Sequence, residues 1–120
     1  MTDSLFTQIY KGQIPGKVIY EDEHCFAIND INPQAPVHIL IIPKKEVAKV
    51  SDASFEEIPL LGHLIYISKK LADLNKLSNN YRLVINNGAE AGQSVFHIHV
   101  HLLGGLSLIH ISEPTRHLFI

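Results

Sequence analysis

The sequence has 120 residues, of which 46% are hydrophobic and 18% are charged, a composition typical of one globular domain and not of a disordered chain. Its formal net charge of −2 leaves no basic excess, so nucleic-acid binding is not expected as the main function. The one cysteine, Cys25, excludes an intrachain disulfide, and no apolar run approaches the roughly 20 residues of a membrane span. The first residues also lack the pattern of a secretory signal, so we expect a cytoplasmic protein without a membrane partner.

The first half of the chain predicts a short helix followed by three strands. Leu5, Phe6, Ile9 and Tyr10 recur at helical spacing, and the turn residues that begin at Gly12 end this segment. Three β-prone stretches follow, at residues 18–20, 25–28 and 37–42. Polar or proline-marked loops separate them, which predicts an antiparallel meander.

The second half predicts the main helix and two further strands. Ser54 and Glu57 have the spacing of a helix-capping box, and apolar residues then recur at i, i+3, i+4 and i+7. These apolar residues are Leu60, Leu61, Leu64, Ile67, Leu71 and Leu74. The last two β-prone stretches are residues 81–86 and 95–103. Because the strands are grouped, we predict an α+β domain with a five-stranded antiparallel sheet, one main helix and a short N-terminal helix.

The most informative segment is His97-Ile98-His99-Val100-His101-Leu102-Leu103, in which every second residue at the start is a histidine. Alternate side chains of a strand face the same side, so the three imidazoles would form a row while the intervening residues pack against the main helix. Buried, unpaired imidazoles are costly, and histidine is well suited to attack phosphorus or transfer protons near neutral pH. The pattern therefore favours a functional site over a merely polar sheet face.

A zinc site is an alternative interpretation of the same spacing. Alternating histidines on a strand can bind zinc, with His38 or Cys25 as a further ligand. Both uses require neutral and well-oriented ring nitrogens, so the spacing alone does not separate them.

The loop before the histidines favours an anion. In Gly92-Gln93-Ser94 the glycine permits a close backbone approach, and the amides and hydroxyl can converge on a phosphate. Asn86, at the end of the preceding predicted strand, can offer an amide donor to the same anion. We therefore predict that this loop binds a phosphate beside the histidines, while the zinc interpretation stays open.

With these features the sequence resembles the histidine-triad (HIT) family, whose signature His-φ-His-φ-His-φ-φ, with φ apolar, is matched in full by residues 97–103. The resemblance extends to Asp30-Ile31-Asn32-Pro33-Gln34-Ala35-Pro36-Val37-His38, Pro43-Lys44, Leu61-Gly62-His63-Leu64, Gly92-Gln93-Ser94 and Leu103-Gly104-Gly105. We therefore assign residues 1–105 to a single HIT domain. The pattern is most similar to the Hint branch of purine nucleoside phosphoramidases, and less so to the Fhit, aprataxin or galactose-1-phosphate uridylyltransferase branches.

The resemblance implies a role for each matching residue. His99 would be the nucleophile that forms a nucleotidyl-histidine intermediate, His97 and His101 would orient it and contact phosphate oxygens, and His38 would complete the network. Ser94 would belong both to the catalytic residues and to the nucleotide contacts. The other implied nucleotide contacts are Asn86, Gly92 and Gln93 for the phosphate and leaving group, Asp30 for the ribose, and Phe6, Ile9, Ile28 and Ile31 for the base.

The implied reaction is hydrolysis of purine nucleoside 5′-phosphoramidates by a homodimer without a metal or another cofactor, with AMP or GMP as product and aminoacyl adenylates as a further candidate substrate. Two alternatives stay open: a dinucleoside polyphosphate hydrolase of the Fhit type, and a zinc-binding or nucleotide-binding interaction module with little catalysis. The resemblance ends after Gly105. Leu106 follows Gly105 where this branch usually has an arginine, and the tryptophan-proline-proline ending is missing, so we treat residues 106–120 as a tail unlike the family pattern.

Overall fold

The computed structural model describes residues 3–105, which form a five-stranded sheet and two helices. The elements are α1 (Leu5–Tyr10), β1 (Val18–Glu21), β2 (Cys25–Asn29), β3 (Val37–Pro43), α2 (Ile58–Leu74), β4 (Tyr81–Val84) and β5 (Val100–Gly104). The strand order is β1-β2-β3-β5-β4, and every neighbouring pair is antiparallel. The predicted α+β architecture is confirmed, whereas the predicted tail lies outside the described residues. Within residues 3–105, no helix is both long and apolar enough to cross a membrane.

The helix α2 begins as its sequence predicts but differs at its far end. Ser54 and Glu57 form the capping box, which caps a single 3₁₀ turn that leads directly into α2. The apolar stripe is buried at Leu64, Ile67 and Leu71, whereas Leu74 is 67% exposed, contrary to the prediction. Leu74 is the last helical residue. The buried apolar side chain at this end of α2 is instead Leu77, in the segment that follows the helix.

The sheet separates two apolar layers, because alternate residues of each strand face opposite sides. On β3, Ile39 and Ile41 pack in the α2-side core, whereas Leu40 and Ile42 pack in the α1-side core. The α1-side core consists of Phe6, Phe26, Ile28, Leu40 and Ile42. The alternation therefore places histidines of β3 and β5 on the α1 side of the sheet.

The strand that carries the histidines is shorter than predicted. Residues 95–103 were expected to be extended and paired, but β5 begins at Val100, so His97 and His99 precede it. In the β3–β5 register Val100 pairs with Ile41, and a continued ladder would reach Pro43. Proline has no N–H to donate, so regular pairing stops there. The Ile98 amide instead donates to the Val47 carbonyl at 2.8 Å.

The turn between β1 and β2 is bonded to α2 through Asp22. Its carboxylate accepts hydrogen bonds from His63 Nε2 at 2.7 Å and from the Tyr20 hydroxyl at 2.8 Å. Although burial raises the pKa of Asp22, these bonds and the amides of His24 and Cys25 hold that pKa well below its usual range. The Cys25 thiol lies 3.5 Å from the same carboxylate, and burial raises its pKa to about 12. Cys25 belongs to the α2-side core, so it does not complete a zinc site with the histidines on the other side.

Candidate active site

A cavity of about 390 Å³ opens on the α1 side of the sheet, within the size range of small-ligand sites. Nine of the predicted site residues line it: Phe6, Ile9, Ile28, Asp30, Ile31, Gly92, Ser94, His99 and His101. Five lining residues were not predicted: Leu5, Asn29, Asn32, Leu40 and Val95. Of these, Leu40 could have been predicted from the sequence. Alternation along β3 places its side chain on the same face of the sheet as Ile28.

His99 presents a neutral imidazole to this cavity. Its Nδ1 atom lies 2.8 Å from the His97 carbonyl oxygen, which can only accept, so Nδ1 carries the hydrogen and donates. The Nε2 atom of the neutral ring then holds a lone pair. Burial lowers the pKa of His99, which keeps the ring unprotonated near neutral pH. Phe6 packs edge to face against this ring at 4.8 Å between centroids.

His97 is fully buried and lies outside the cavity wall. Its Nε2 atom donates to the Pro43 carbonyl at 2.6 Å, and its Nδ1 atom lies 2.5 Å from the Ser4 hydroxyl. Burial lowers the pKa of His97 as well. His97 is hydrogen-bonded to His99 through its backbone carbonyl and not through its ring. The row of three imidazoles predicted from the sequence therefore presents only its second and third rings to the cavity.

His101 is oriented by a chain of hydrogen bonds that starts in the loop before β3. The Gln34 amide donates to His38 Nδ1 at 3.1 Å, so the neutral His38 ring carries its hydrogen on Nε2. His38 Nε2 lies 2.9 Å from His101 Nδ1, which places the hydrogen of neutral His101 on Nε2. Burial, followed by the neighbouring His99 and His38, lowers the pKa of His101 to about 3.

The His101 Nε2 atom is therefore an N–H donor, and in the described part of the chain it is buried without a hydrogen-bond partner. A buried donor of this kind is costly unless a ligand satisfies it. Because His101 lines the cavity next to His99, the ring centroids being 4.9 Å apart, an anionic ligand there would meet both rings.

Asp30 stands beside these rings at the cavity wall. One carboxylate oxygen accepts the Asn32 amide at 2.8 Å, and the other lies 3.5 Å from His38 Nε2. Donor atoms of Asp30, His38 and His101 lie within 4.8 Å of one another, so these three residues could hold a metal ion. A metal ion at this cavity would thus use this group and not the three histidines of the motif.

The loop before the histidines is held by Gln93. Its side chain accepts the Gly88 amide at 2.8 Å and donates to the carbonyls of Ala48 at 2.7 Å and Val95 at 3.0 Å. Gln93 is buried, and the structure does not bring it to the cavity surface. Gly92 adopts φ +97, a left-handed conformation that favours glycine.

The two polar residues flanking this loop differ in position. Ser94 is exposed and lines the cavity. Asn86 does not line it, but its Nδ2 atom is one of the buried side-chain atoms that lack a hydrogen-bond partner within residues 3–105. The loop therefore brings Gly92 and Ser94 into the cavity, with Gln93 as its internal support.

Fold and site together define a class of α+β protein in which buried histidines at the start of a central strand face a ligand cavity. The HIT domain family matches residues 11–108 of the sequence. The chain therefore belongs to the HIT, or histidine-triad, family.

Relatives and solved structures agree with this assignment. An uncharacterized HIT-like protein of Synechocystis sp. is 50% identical over 103 residues, which cover 86% of this chain and 90% of the relative. A HIT family hydrolase from Legionella pneumophila superposes with a TM-score of 0.84 at 46% identity, covering 88% of this chain and 96% of that one. A HIT family hydrolase from Clostridium thermocellum gives a TM-score of 0.85 at 41% identity, covering 90% and 95%. The chain thus has the fold of HIT family hydrolases.

Proposed function

We propose that this protein hydrolyses purine nucleoside 5′-phosphoramidates, as in the Hint branch, through a nucleotidyl intermediate on His99. The observation that supports this most directly is the pair of ring nitrogens at the cavity. His99 Nε2 has a free lone pair, and the neighbouring His101 Nε2 is an N–H donor without a partner among the described residues. A phosphoryl group between them would meet a nucleophile and a hydrogen-bond donor at once.

The remaining cavity suits a nucleoside. The Asp30 carboxylate can accept hydrogen bonds from both ribose hydroxyls, because only one of its oxygens is engaged by a backbone amide. Apolar side chains from α1, β2 and the loop after it would enclose the base, namely Phe6, Ile9, Ile28 and Ile31. Ile31 is 99% exposed and can gain burial only from a ligand or partner.

The chemistry follows from these positions. His99 Nε2 would attack the α-phosphorus, the P–N bond would break, and the departing nitrogen would leave as a neutral amine after taking up a proton. A solvent water would supply that proton, and the Ser94 hydroxyl, exposed in the same cavity wall, would relay it to the leaving nitrogen. Negative charge developing on the phosphoryl oxygens would be met by the His101 N–H and the loop at Gly92. Water would then hydrolyse the nucleotidyl-histidine, releasing AMP or GMP and restoring neutral His99. The water that attacks in this second step would return a proton to solvent.

The direct test is turnover of adenosine 5′-phosphoramidate by the wild-type protein and by His99→Ala, with acid-quench trapping of a nucleotidyl-enzyme. We expect turnover and a trapped adduct from the wild type, and neither from His99→Ala. His24→Ala, which alters an exposed histidine next to Asp22, is the matched control and should behave as wild type. Wild-type turnover by His99→Ala would refute the assignment.

The same assay separates the alternatives. Faster turnover of a diadenosine polyphosphate than of the phosphoramidate would favour the Fhit-type reaction, and aminoacyl adenylates test the wider substrate range. Loss of turnover on exhaustive chelation, restored by zinc, would indicate that Asp30, His38 and His101 hold a functional metal.

We further propose that the protein is a homodimer. The strand β4 is at the edge of the sheet, which leaves its outer backbone groups available to a second strand. Exposed apolar side chains also lie on the turn before α2 and along its first half, with Phe55 85% exposed, Ile58 55% and Ile65 43%. Light scattering should give twice the chain mass, and a monomer mass would contradict the proposal.

A further inference from the structure

The first residue before α1 contacts the histidine motif directly. Ser4 is the N-cap of α1, and its hydroxyl oxygen accepts the Thr7 amide at 3.0 Å. The same oxygen lies 2.5 Å from His97 Nδ1. One hydroxyl therefore joins a helix cap to the buried ring of His97, 93 residues away in sequence.

The direction of this hydrogen bond follows from the partners of the imidazole. Pro43 offers only a carbonyl oxygen, so the His97 hydrogen must be on Nε2, and Nδ1 of the neutral ring is an acceptor. The Ser4 hydroxyl donates to it. A second acceptor, the Thr7 hydroxyl, lies farther away, at 3.1 Å.

His97 lies outside the regular ladder of the sheet, so its orientation depends on its two ring hydrogen bonds and on packing. Regular pairing with β3 begins only at Val100, so the segment 97–99 has few other restraints. Its hydrogen bonds are those of the Ile98 amide to Val47, of the His97 ring to Pro43 and Ser4, and of His99 Nδ1 to the His97 carbonyl. Loss of one of them would allow the His97 peptide to rotate.

The orientation of the His97 peptide matters for His99. Its carbonyl oxygen accepts the Nδ1 hydrogen of His99, and this bond leaves the lone pair on Nε2, toward the cavity. A rotated carbonyl would release that hydrogen and permit the other tautomer, with Nε2 protonated and unable to attack. The Ser4 hydroxyl thus acts on the nucleophile through the ring and then the backbone of His97.

We propose that Ser4 is a positioning residue for the nucleophile, and that its hydroxyl, donated to His97 Nδ1, holds the His97 carbonyl against His99 Nδ1. The proposal rests on the proposed function, in which His99 attacks phosphorus. It also couples two parts of the site, since α1 supplies Phe6 to the cavity wall and Ser4 to the histidine segment.

The test removes the hydroxyl with the least damage to the helix. Glycine is tolerated at N-cap positions at small cost, so Ser4→Gly deletes the donor while α1 stays capped well enough to fold. Ser4→Thr keeps a hydroxyl and is the rescue variant. Ser54→Gly is the matched control, because Ser54 is also an N-cap serine but belongs to the capping box before α2.

Two measurements are made on each variant. For adenosine 5′-phosphoramidate we expect Ser4→Gly to lower kcat on the order of ten-fold with KM nearly unchanged, and Ser4→Thr and Ser54→Gly to stay within about two-fold of wild type. By ¹⁵N NMR we expect the His99 Nδ1 hydrogen of Ser4→Gly to exchange with solvent faster than in the wild type and in Ser54→Gly.

Equal kcat values for Ser4→Gly and Ser54→Gly would overturn the proposal, and so would a lower kcat with unchanged exchange at His99 Nδ1. The NMR measurement does not require turnover. If the wild-type protein fails to hydrolyse the phosphoramidate, the proposed function fails, and the exchange rates alone still decide whether Ser4 orients this segment.

Discussion

His38 Nε2 lies 2.9 Å from His101 Nδ1, and this contact determines which side of the His101 ring carries a hydrogen. His38 itself is oriented by the Gln34 amide at the end of the loop before β3. A backbone amide thus sets the tautomer of two successive rings. The outcome is an N–H group directed away from His38 that lacks a partner within the described structure.

We predict that His101→Ala lowers kcat for the phosphoramidate by about 10²–10³-fold, the usual effect of removing one donor from a site where negative charge develops. The nucleophile is unchanged in this variant, so a slow nucleotidyl-enzyme should still be trapped. Single-turnover kinetics measures both quantities. His38→Ala should cost less, because His101 can still adopt the tautomer with its hydrogen on Nε2 and loses only the bond that favours this tautomer. A larger loss for His38→Ala than for His101→Ala would contradict this order.

A second prediction concerns stability in acid. Burial lowers the pKa of His38, His97, His99 and His101 in the folded protein. As the pH falls below the ordinary value of 6.5, the unfolded chain therefore binds protons before the folded protein does. The free energy of unfolding should then decrease, by up to about 1.4 kcal/mol per pH unit for each such histidine. For His101 this continues until the pH approaches about 3.

Urea unfolding at neutral pH and at several values below 6.5 measures this slope. His101→Asn removes one titrating group. The free energy of unfolding of this variant should therefore fall less steeply as the pH decreases, by the contribution of one proton, about 1.4 kcal/mol per pH unit. An equal slope for the variant and the wild type would show that His101 is not held neutral by the fold.

The sheet and the helices were predictable because their signals are local. β-prone stretches between polar or proline-marked loops located β2 and β3, and the capping box with its apolar spacing located α2. Period-two alternation within residues 97–103 placed His101 on the face of the sheet opposite α2. Residues near one another in sequence determine these features, so one chain is sufficient to infer them.

The errors at the site come from contacts between distant residues. The start of β5 depends on a proline in β3 that cannot continue the ladder, and no pattern within 95–103 reveals this. Similarly, Gln93 matches a phosphate-contact motif, but its amide is used by Ala48 and Val95. The contact of Ser4 with the site was not predicted, since its partner His97 is 93 residues away.

A third prediction uses Ile31, which lines the cavity although it is 99% exposed. Because its side chain makes little contact within the described structure, Ile31→Ala should change the free energy of unfolding by no more than about 0.5 kcal/mol. If Ile31 covers the base, the variant should bind AMP about five-fold more weakly, equivalent to about 1 kcal/mol of lost apolar burial. Calorimetry measures the affinity. Leu74→Ala is the control. Leu74 is 67% exposed on α2, so this variant should bind AMP with unchanged affinity.

The last prediction concerns the sugar. If the Asp30 carboxylate accepts both ribose hydroxyls, the wild-type protein should bind AMP at least about ten-fold more tightly than 2′,3′-dideoxy-AMP, since hydrogen bonds to a charged group contribute roughly 1.5–3 kcal/mol. Asp30→Asn replaces one oxygen by a donor, so this preference should shrink to a few-fold while the affinity for the dideoxy nucleotide changes little. Titration calorimetry of both nucleotides with both proteins measures the four affinities and isolates the coupling between the carboxylate and the hydroxyls. An undiminished ribose preference in Asp30→Asn would mean that other groups, such as the exposed Asn29 and Asn32 at the cavity wall, bind the sugar instead.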